Sequence, residues 1–381
     1  MGTLTGFKIV EIAGIGPGQF CGMLLADMGA QVIRIERNGD AHKTVEIPAK
    51  YNLMNRSRPS ITVDLKKKEG VDLVLQLCAG ADALFEGFRP GVMERLGLGP
   101  DDCIAQNKRL VYGRVTGWGQ SGPLAGAAGH DGNYSALVGV LSTIGKKNKP
   151  PAIPLNLVAD FGGGGAFLAL GMLAAMLEAS RSGEGQIVDA AMVDGAASMM
   201  TLIYGLYAAG IWEDERESNI LDGGAPFYRT YRTSDGKYLI VCAIESQFFQ
   251  MLLDLLDIDD IALHDQYDKN KWSEHIERFA GLFASKTRDE WCALLEGTDA
   301  CFAPVLSLAE APQHPHIDSR KTFVTVDGVL QPAPAPRFSR TPSQIDSAPA
   351  EPDERAGLAL KDWGFTAAEI GELQSSGTIG K

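Results

Sequence analysis

The opening third of the chain alternates short apolar runs with amphipathic stretches, and few folds accept that pattern. "FKIVEIAG" reads as a buried strand, "GPGQFCGMLLADMGA" as a helix with Pro17 in its first turn and Gly29 near its end, and "QVIRIER" as a second strand. "DLKKKEGVDLVLQLCAGA" sets Val71, Val74, Leu75 and Cys78 on one helical face, and "DALFEGF" and "RLVYGRVTG" follow as strands. This alternation predicts a parallel sheet with helices on its faces, an α/β architecture. "FGGGGAFLALGMLAAMLEASRSG" continues it as a helix and "GQIVDAAM" as a strand. Near residue 220 the pattern changes. "LDGGAPFYRTYRTSDGKYLIVCAI" reads as a hairpin turned at Ser-Asp-Gly, and amphipathic helices follow. The expected organisation is a large domain from residues 1–220 and 330–381 around a smaller central α+β domain, 225–325. Residues 332–352 carry six prolines and read as an extended strap. Thr366 and Glu369 form a capping box for a last helix.

At 381 residues the chain exceeds one typical core. Its net charge of −13 argues against a general nucleic-acid binder. Within that acidic background, Arg34, Arg37, Lys43, Lys50, Arg56, Arg58, Lys66, Lys67 and Lys68 form a basic island, diluted by Glu36, Asp40, Glu46 and Asp64. Guanidinium forks suit phosphates, so the island reads equally as a solvated face or as the seat of a phosphorylated small molecule. The six cysteines are scattered, without zinc-ligand spacing, so no metal site is expected. With no secretory signal pattern at the start, they point to a reducing, cytoplasmic location. "GAASMMTLIYGLYAAGIW" (195–212) has the length of a membrane span, but its Gly, Ala, Ser and Thr content reads instead as a buried helix at a domain or subunit contact, not a span.

Several motifs admit two readings. "GIGPGQF" starts like a dinucleotide fingerprint, yet Gln19 stands where the third glycine belongs, and a tight strand-to-helix turn explains it as well. Asp160, in "PLNLVADFGGGGAFL", reads as an N-cap, but four glycines beside a carboxylate also suit close approach by a ligand. His130, beside Asp131 in "GHDGNY", reads as a core or capping histidine or as an acid–base group. Glu245 reads as a charge at the start of the next helix or as a site carboxylate. Met192, Met199 and Met200 read as core or as an adaptable apolar surface.

Taken together, "GPGQFCGMLLADMGAQVIRIER", "NRSRPSITVDLK", "FRPGVMERLGLGP", "GWGQSGP", "GHDGNY", "PLNLVADFGGG", "LDGGAPFYRTYRTSDGKYLIVCAIESQF" and "GTDACFAPVLSLAEA" resemble the α-methylacyl-CoA racemases of the family III CoA-transferase superfamily, from near the N-terminus to the last helix. Gly132 departs from the bulky apolar residue usual after His-Asp in that family. The resemblance implies a Rossmann-like open large domain built from both chain ends, a small central domain and an interlocked homodimer. It implies an acyl-CoA thioester substrate, with CoA carried by the substrate and no resident cofactor. Arg37, Lys66 and Arg95 match positions that contact nucleotide and phosphates, with Arg58 and Val63 assigned to the same CoA site.

Racemisation next to a thioester takes a weakly acidic proton from one face and returns one to the other. By resemblance, His130 and Asp160 are the two bases, serving the (2S) and (2R) substrates respectively. Glu245 of the partner subunit fixes His130, and the backbone N–H of Asp131 polarises the thioester carbonyl. The glycine run then reads as a smooth wall along which the acyl carbon moves. The alternative on the same fold is a family III CoA-transferase with Asp160 as nucleophile. A CoA-binding carrier and a nicotinamide enzyme are the more distant readings.

Overall fold

The computed structural model describes residues 2–37 and 47–380. Asp40, Lys43 and Glu46 of the basic island lie outside the described residues. In chain order the elements are β1 (Lys8–Ile12), α1 (Pro17–Asp27), β2 (Gln31–Arg37), β3 (Ser60–Val63), α2 (Lys68–Ala79), β4 (Ala83–Glu86), α3 (Val92–Arg95), α4 (Pro100–Gln106), β5 (Val111–Arg114), α5 (Asp131–Leu137) and α6 (Val140–Thr143). A π-helix (Leu157–Ala166) runs directly into α7 (Phe167–Ser182), followed by β6 (Ile187–Asp189), α8 (Met192–Met199) and α9 (Thr201–Ala208). Then come β7 (Tyr228–Arg232), β8 (Tyr238–Cys242), α10 (Ser246–Leu255), α11 (Lys269–Phe283), α12 (Arg288–Leu295), β9 (Phe302–Val305) and α13 (Pro315–Ser319). The chain closes with β10 (Phe323–Val326), β11 (Val329–Pro332), α14 (Ala356–Asp362) and α15 (Ala367–Ser375).

The chain divides into two compact units. The first comprises Met1–Val138, Pro154–Met199 and Lys321–Lys381, the second Gly139–Ile153 and Met200–Arg320. The division differs from the expected one: residues 139–153 and 200–220 pack with the second unit, and 321–325 with the first.

The first unit is built on six parallel strands in the order β3-β2-β1-β4-β5-β6. That order reverses direction between β1 and β4, and the crevice beyond the strand ends at such a point is where ligands bind in open α/β sheets. Side chains alternate along each strand, so Ile9 joins the cluster with Cys21, Leu25, Leu168 and Met172, while Val10 joins Ile33, Ile61, Leu84 and Tyr112 on the other face. Both faces are buried, which is why the strands read as nearly continuous apolar runs. Gly113 on β5 has no Cβ because one would stand 2.9 Å from Leu168 and 3.0 Å from the Met172 sulfur, so α7 lies close against the sheet.

Residues 157–182 form a helical stretch long and apolar enough to cross a membrane, a feature missed in the sequence. Its stripe Leu168, Ala169, Met172, Ala175, Met176 and Ala179 is spent on the core cluster of this unit. The apolar segment 195–212 is not one buried helix: it breaks into α8 and α9, eight residues each, too short to span a bilayer. Leu202, Tyr204, Tyr207 and Ile211 are exposed on the chain.

In the second unit, β7, β8 and β9 form an antiparallel sheet, with the expected β7–β8 hairpin closed by the Thr233 N–H on the Lys237 carbonyl. Behind it Phe227, Tyr231, Phe249, Phe279, Phe283 and Trp291 make an aromatic core. Residues 333–352 contain no helix or strand, as the proline content predicted. The β10–β11 hairpin, turned at Asp327-Gly328 with both φ positive, went unread although Asp-Gly is a strong hairpin signal.

Candidate active site

The site grows from three segments at the carboxyl ends of β1, β4 and β5. After β1 the chain turns through Gly16, whose φ of 70° only glycine adopts without strain, into α1 with Pro17 at its start. The Asp160 carboxylate lies over this turn: a Cβ on Gly16 would stand 3.4 Å from its Oδ2. "GIGPGQF" is therefore a tight turn beneath Asp160.

His130 occupies the N-cap of α5 in an extended conformation. Its backbone N–H donates to the Asn133 carboxamide (3.0 Å), and its carbonyl accepts from the Asn133 N–H (2.8 Å). The Asn133 side chain closes the helix start, and the exposed imidazole has no hydrogen-bond partner among the described residues. Neither a core nor a capping role holds that imidazole. A Cβ at Gly132 would meet open space, so α5 forms without the apolar residue usual there.

Asp131 is buried at 3 % exposure. Its Oδ2 accepts from the N–H of Ala159 (2.7 Å) and of Asp160 (2.8 Å), and its Oδ1 from the Ser135 hydroxyl (3.2 Å). Asp160 is not an N-cap. It sits inside the π-helix, whose first widened hydrogen bond runs from the Phe161 N–H to the Asn156 carbonyl (3.3 Å). Burial raises the proton affinity of the Asp160 carboxyl, the nearby Asp131 charge raises it further, and a hydrogen bond with Asn156 and the charge of His130 pull it back.

Tyr134, one turn into α5, fills the space beside Gly117 and Gly129, where a Cβ would collide with its ring. The ring packs edge-on against Trp118 at 4.7 Å. Burial, then the Asp160 charge, push the phenol up to about 12, against the opposing pull of Arg89 from the loop after β4. Tyr134, Asn156 and Arg89 were not singled out in the sequence, although all three lie within or beside the quoted motifs.

The glycine run does not line an open wall. A Cβ on Gly163 would stand 2.6 Å from the Ala196 nitrogen, one on Gly164 2.8 Å from Met192, and one on Gly165 2.6 Å from the Pro17 carbonyl. The glycines let α1 and α8 close onto the π-helix. Met192 is core, Met199 is exposed beside Gly162, and Met200 belongs to the second unit.

Arg37 ends β2, opposite Val63 in register, and Lys66 follows β3. Both cations are exposed, as is Arg95 at the end of α3. Val63 is fully buried between β2 and a bridge to Ile379, and it leaves no exposed atom for a ligand. The assignment of Arg58 to the CoA site needs correction. Its guanidinium is buried, paired with Glu11 and donating to the Met54 carbonyl, in space that Gly22 of α1 leaves free. Arg34 also holds Glu11, and Arg56 holds Asp27. Three arginines of the basic island thus neutralise interior carboxylates.

The loop after β4 that leads to Arg95 is tied down by Glu86, which accepts from the Phe88 N–H (2.6 Å), and by Arg114, which reaches Glu86 (3.1 Å) and Glu94 (2.9 Å).

Glu245 lies in the second unit as the N-cap of α10. Its carbonyl accepts from Phe248 and Phe249, but its side chain makes no capping bond and is exposed. The structure thus brings His130, Asp131 and Asp160 together within one unit. No cluster of His, Cys, Asp and Glu among the described residues could hold a metal ion.

The profile of CoA-transferase family III matches residues 4–355. The chain is 45 % identical to the α-methylacyl-CoA racemase of Mus musculus over 376 residues, covering 98 % of this chain and 96 % of that one. It is 42 % identical to the α-methylacyl-CoA racemase of Homo sapiens over 379 residues, covering 99 % and 97 %. Among solved structures, a CaiB/BaiF family protein from Brucella suis superimposes with a TM-score of 0.81 at 27 % identity, covering 95 % of this chain and 99 % of that one.

Proposed function

This chain belongs to CoA-transferase family III, and on that premise we propose that it is an isomerase that interconverts the (2R) and (2S) forms of 2-methylacyl-CoA thioesters by 1,1-proton transfer through an enolate. The observation that carries this reading is the meeting of an imidazole without a hydrogen-bond partner among the described residues, His130, with a carboxyl of raised proton affinity, Asp160, at the switch point of the sheet. Moving a proton between the faces of a planar enolate needs two acid–base groups, one for each face.

In this reading His130 takes the proton of the (2S) substrate and Asp160 that of the (2R). The Asp131 N–H polarises the thioester oxygen. Glu245 of the partner subunit orients His130, which suits a helix-capping glutamate whose side chain is exposed and makes no capping bond. Arg37, Lys66 and Arg95 hold the nucleotide and phosphates, beside the buried Val63, and Arg58 has no part. An interlocked homodimer would cover the exposed Leu202, Tyr204, Tyr207 and Ile211. The chemistry asks for no resident cofactor, since CoA arrives with the substrate. Six free thiols suit a reducing compartment such as the cytoplasm.

The rival, with Asp160 as a nucleophile on the thioester, needs a readily ionised carboxylate. Burial and the Asp131 charge oppose that, and His130 would have no role. Proton NMR of a single-enantiomer 2-methylacyl-CoA with the protein in D₂O decides between them. Racemisation predicts collapse of the α-methyl doublet and appearance of both enantiomers. An unchanged doublet together with CoA transfer to an added carboxylate would establish the rival.

A further inference from the structure

We propose that the Asp131 carboxylate is the positioning group that sets His130 and Asp160 at their working separation. The proposal rests on the racemase reading but concerns a side chain that the reading leaves unused. A π-helix bonds each N–H to the carbonyl five residues back, so the amides before Phe161 have no partner within it. Two of them, on Ala159 and on Asp160 itself, are taken by one oxygen of Asp131 at 2.7 and 2.8 Å. The cap of this helix therefore comes from α5, a different element, and from the residue joined covalently to His130. The other oxygen holds Ser135, so the carboxylate cannot swing away without breaking a bond inside α5. No basic side chain among the described residues pairs with Asp131, and backbone amides and one hydroxyl satisfy it. A carboxylate buried to 3 % exposure and spent on two amides is a costly way to cap a helix unless the register it enforces matters.

The same placement lays a negative charge beside Asp160. The groups facing Asp160 are His130, Asp131 and Tyr134 from α5, Asn156 from the start of the π-helix, and the uncharged Gly16 turn. Arg89 acts on Tyr134, and the one charged residue of α8, Asp194, is exposed.

Two substitutions separate geometry from charge. Asp131→Ala frees both amides and should lower the turnover of α-proton exchange in both directions by about 100-fold, with KM changed less than about threefold. Asp131→Asn keeps an acceptor for the amides and should recover about tenfold over the alanine variant. Its remaining difference should be a shift. In the direction in which Asp160 takes the proton, the rising limb of the pH–rate profile should move down by about half a unit or more as the neighbouring charge disappears. Alanine activity within about threefold of wild type, or an asparagine limb that stays put, overturns the proposal. Carbon-13 titration of the Asp160 carboxyl, assigned with Asp160→Asn, needs no turnover. A midpoint lowered in Asp131→Asn supports the link, and an unmoved midpoint overturns it. A wild-type protein that exchanges no α-proton refutes the racemase reading instead, and the titration still decides the link between Asp131 and Asp160.

Discussion

Asp160 and Glu86 are carboxyls held above their ordinary proton affinity, and each has a testable consequence. At Asp160 the effect suits the acid–base role proposed for it. His130→Ala should suppress proton abstraction from the (2S) substrate and Asp160→Asn that from the (2R), each by about 10²–10⁴-fold, as read by deuterium incorporation from each pure enantiomer. At Glu86 burial lifts the carboxyl to about 7, and the Phe88 amide and Arg114 offset it only in part. The folded chain therefore binds this proton more tightly than the unfolded one, whose glutamate titrates near 4.5. Folding takes up a proton between those values, so this group's contribution to stability is full below about 4.5 and is lost as pH rises through about 7. Melting temperatures of wild type and Glu86→Gln, compared from pH 5 to 8, should show the wild type losing ground as pH rises.

At the scale of the element, the π-helix is the feature that most shapes the site. Its glycines were read in the sequence as room for a ligand, whereas other elements press on them, with backbone at Gly163 and Gly165 and methionine side chains at Gly162 and Gly164. The same closeness binds Gly195 on α8, where a Cβ would lie 2.6 Å from the Gly163 Cα and closer still to its carbonyl. Gly195→Ala should cost about 1–3 kcal/mol by overpacking, visible as a lower urea midpoint with an unchanged slope. Local signals fared better. Thr366 and Glu369 do close a capping box on α15, with bonds of 2.7 to 3.3 Å, because the partners sit three residues apart and need nothing from the rest of the fold. His130 was visible as a residue at a helix start, and Asn133, three residues on, closes the cap and leaves the imidazole without a partner among the described residues.

At the scale of the whole chain, the two ends of the sequence share one unit, and Arg56 is the clasp between them. It forks onto Asp27 with bonds of 3.0 and 2.6 Å and donates to Gln331 (3.0 Å) and to the Pro332 carbonyl (2.8 Å) where the proline strap begins. Further along the strap, Gln344 donates to the Asp27 carbonyl, and the Ser57 N–H reaches Ser347. Arg56→Ala would leave Asp27 buried without its counter-charge and should cost about 3–5 kcal/mol, measured by chemical denaturation. A matched change of a surface island residue, Lys67→Ala, should cost almost nothing.

What the sequence by itself determined is whatever short-range periodicity and spacing encode. The parallel sheet, the tight turn after β1, the hairpin at Ser-Asp-Gly, the proline strap and the ordered motifs of the family are all of this kind. What only the tertiary structure decided depends on pairs distant in the chain. Nine basic residues look alike on the page, but Arg34, Arg56 and Arg58 are buried because Glu11 and Asp27 lie across the fold from them, while Arg37 and Lys66 end in solvent. In the sequence Asp160 looks like a helix cap, and Asp131 like a residue at a helix start. Asp160 sits within a π-helix, and Asp131 caps that helix from another element, because the amides left unpaired by the wider turn found a carboxylate brought to them by the sheet topology.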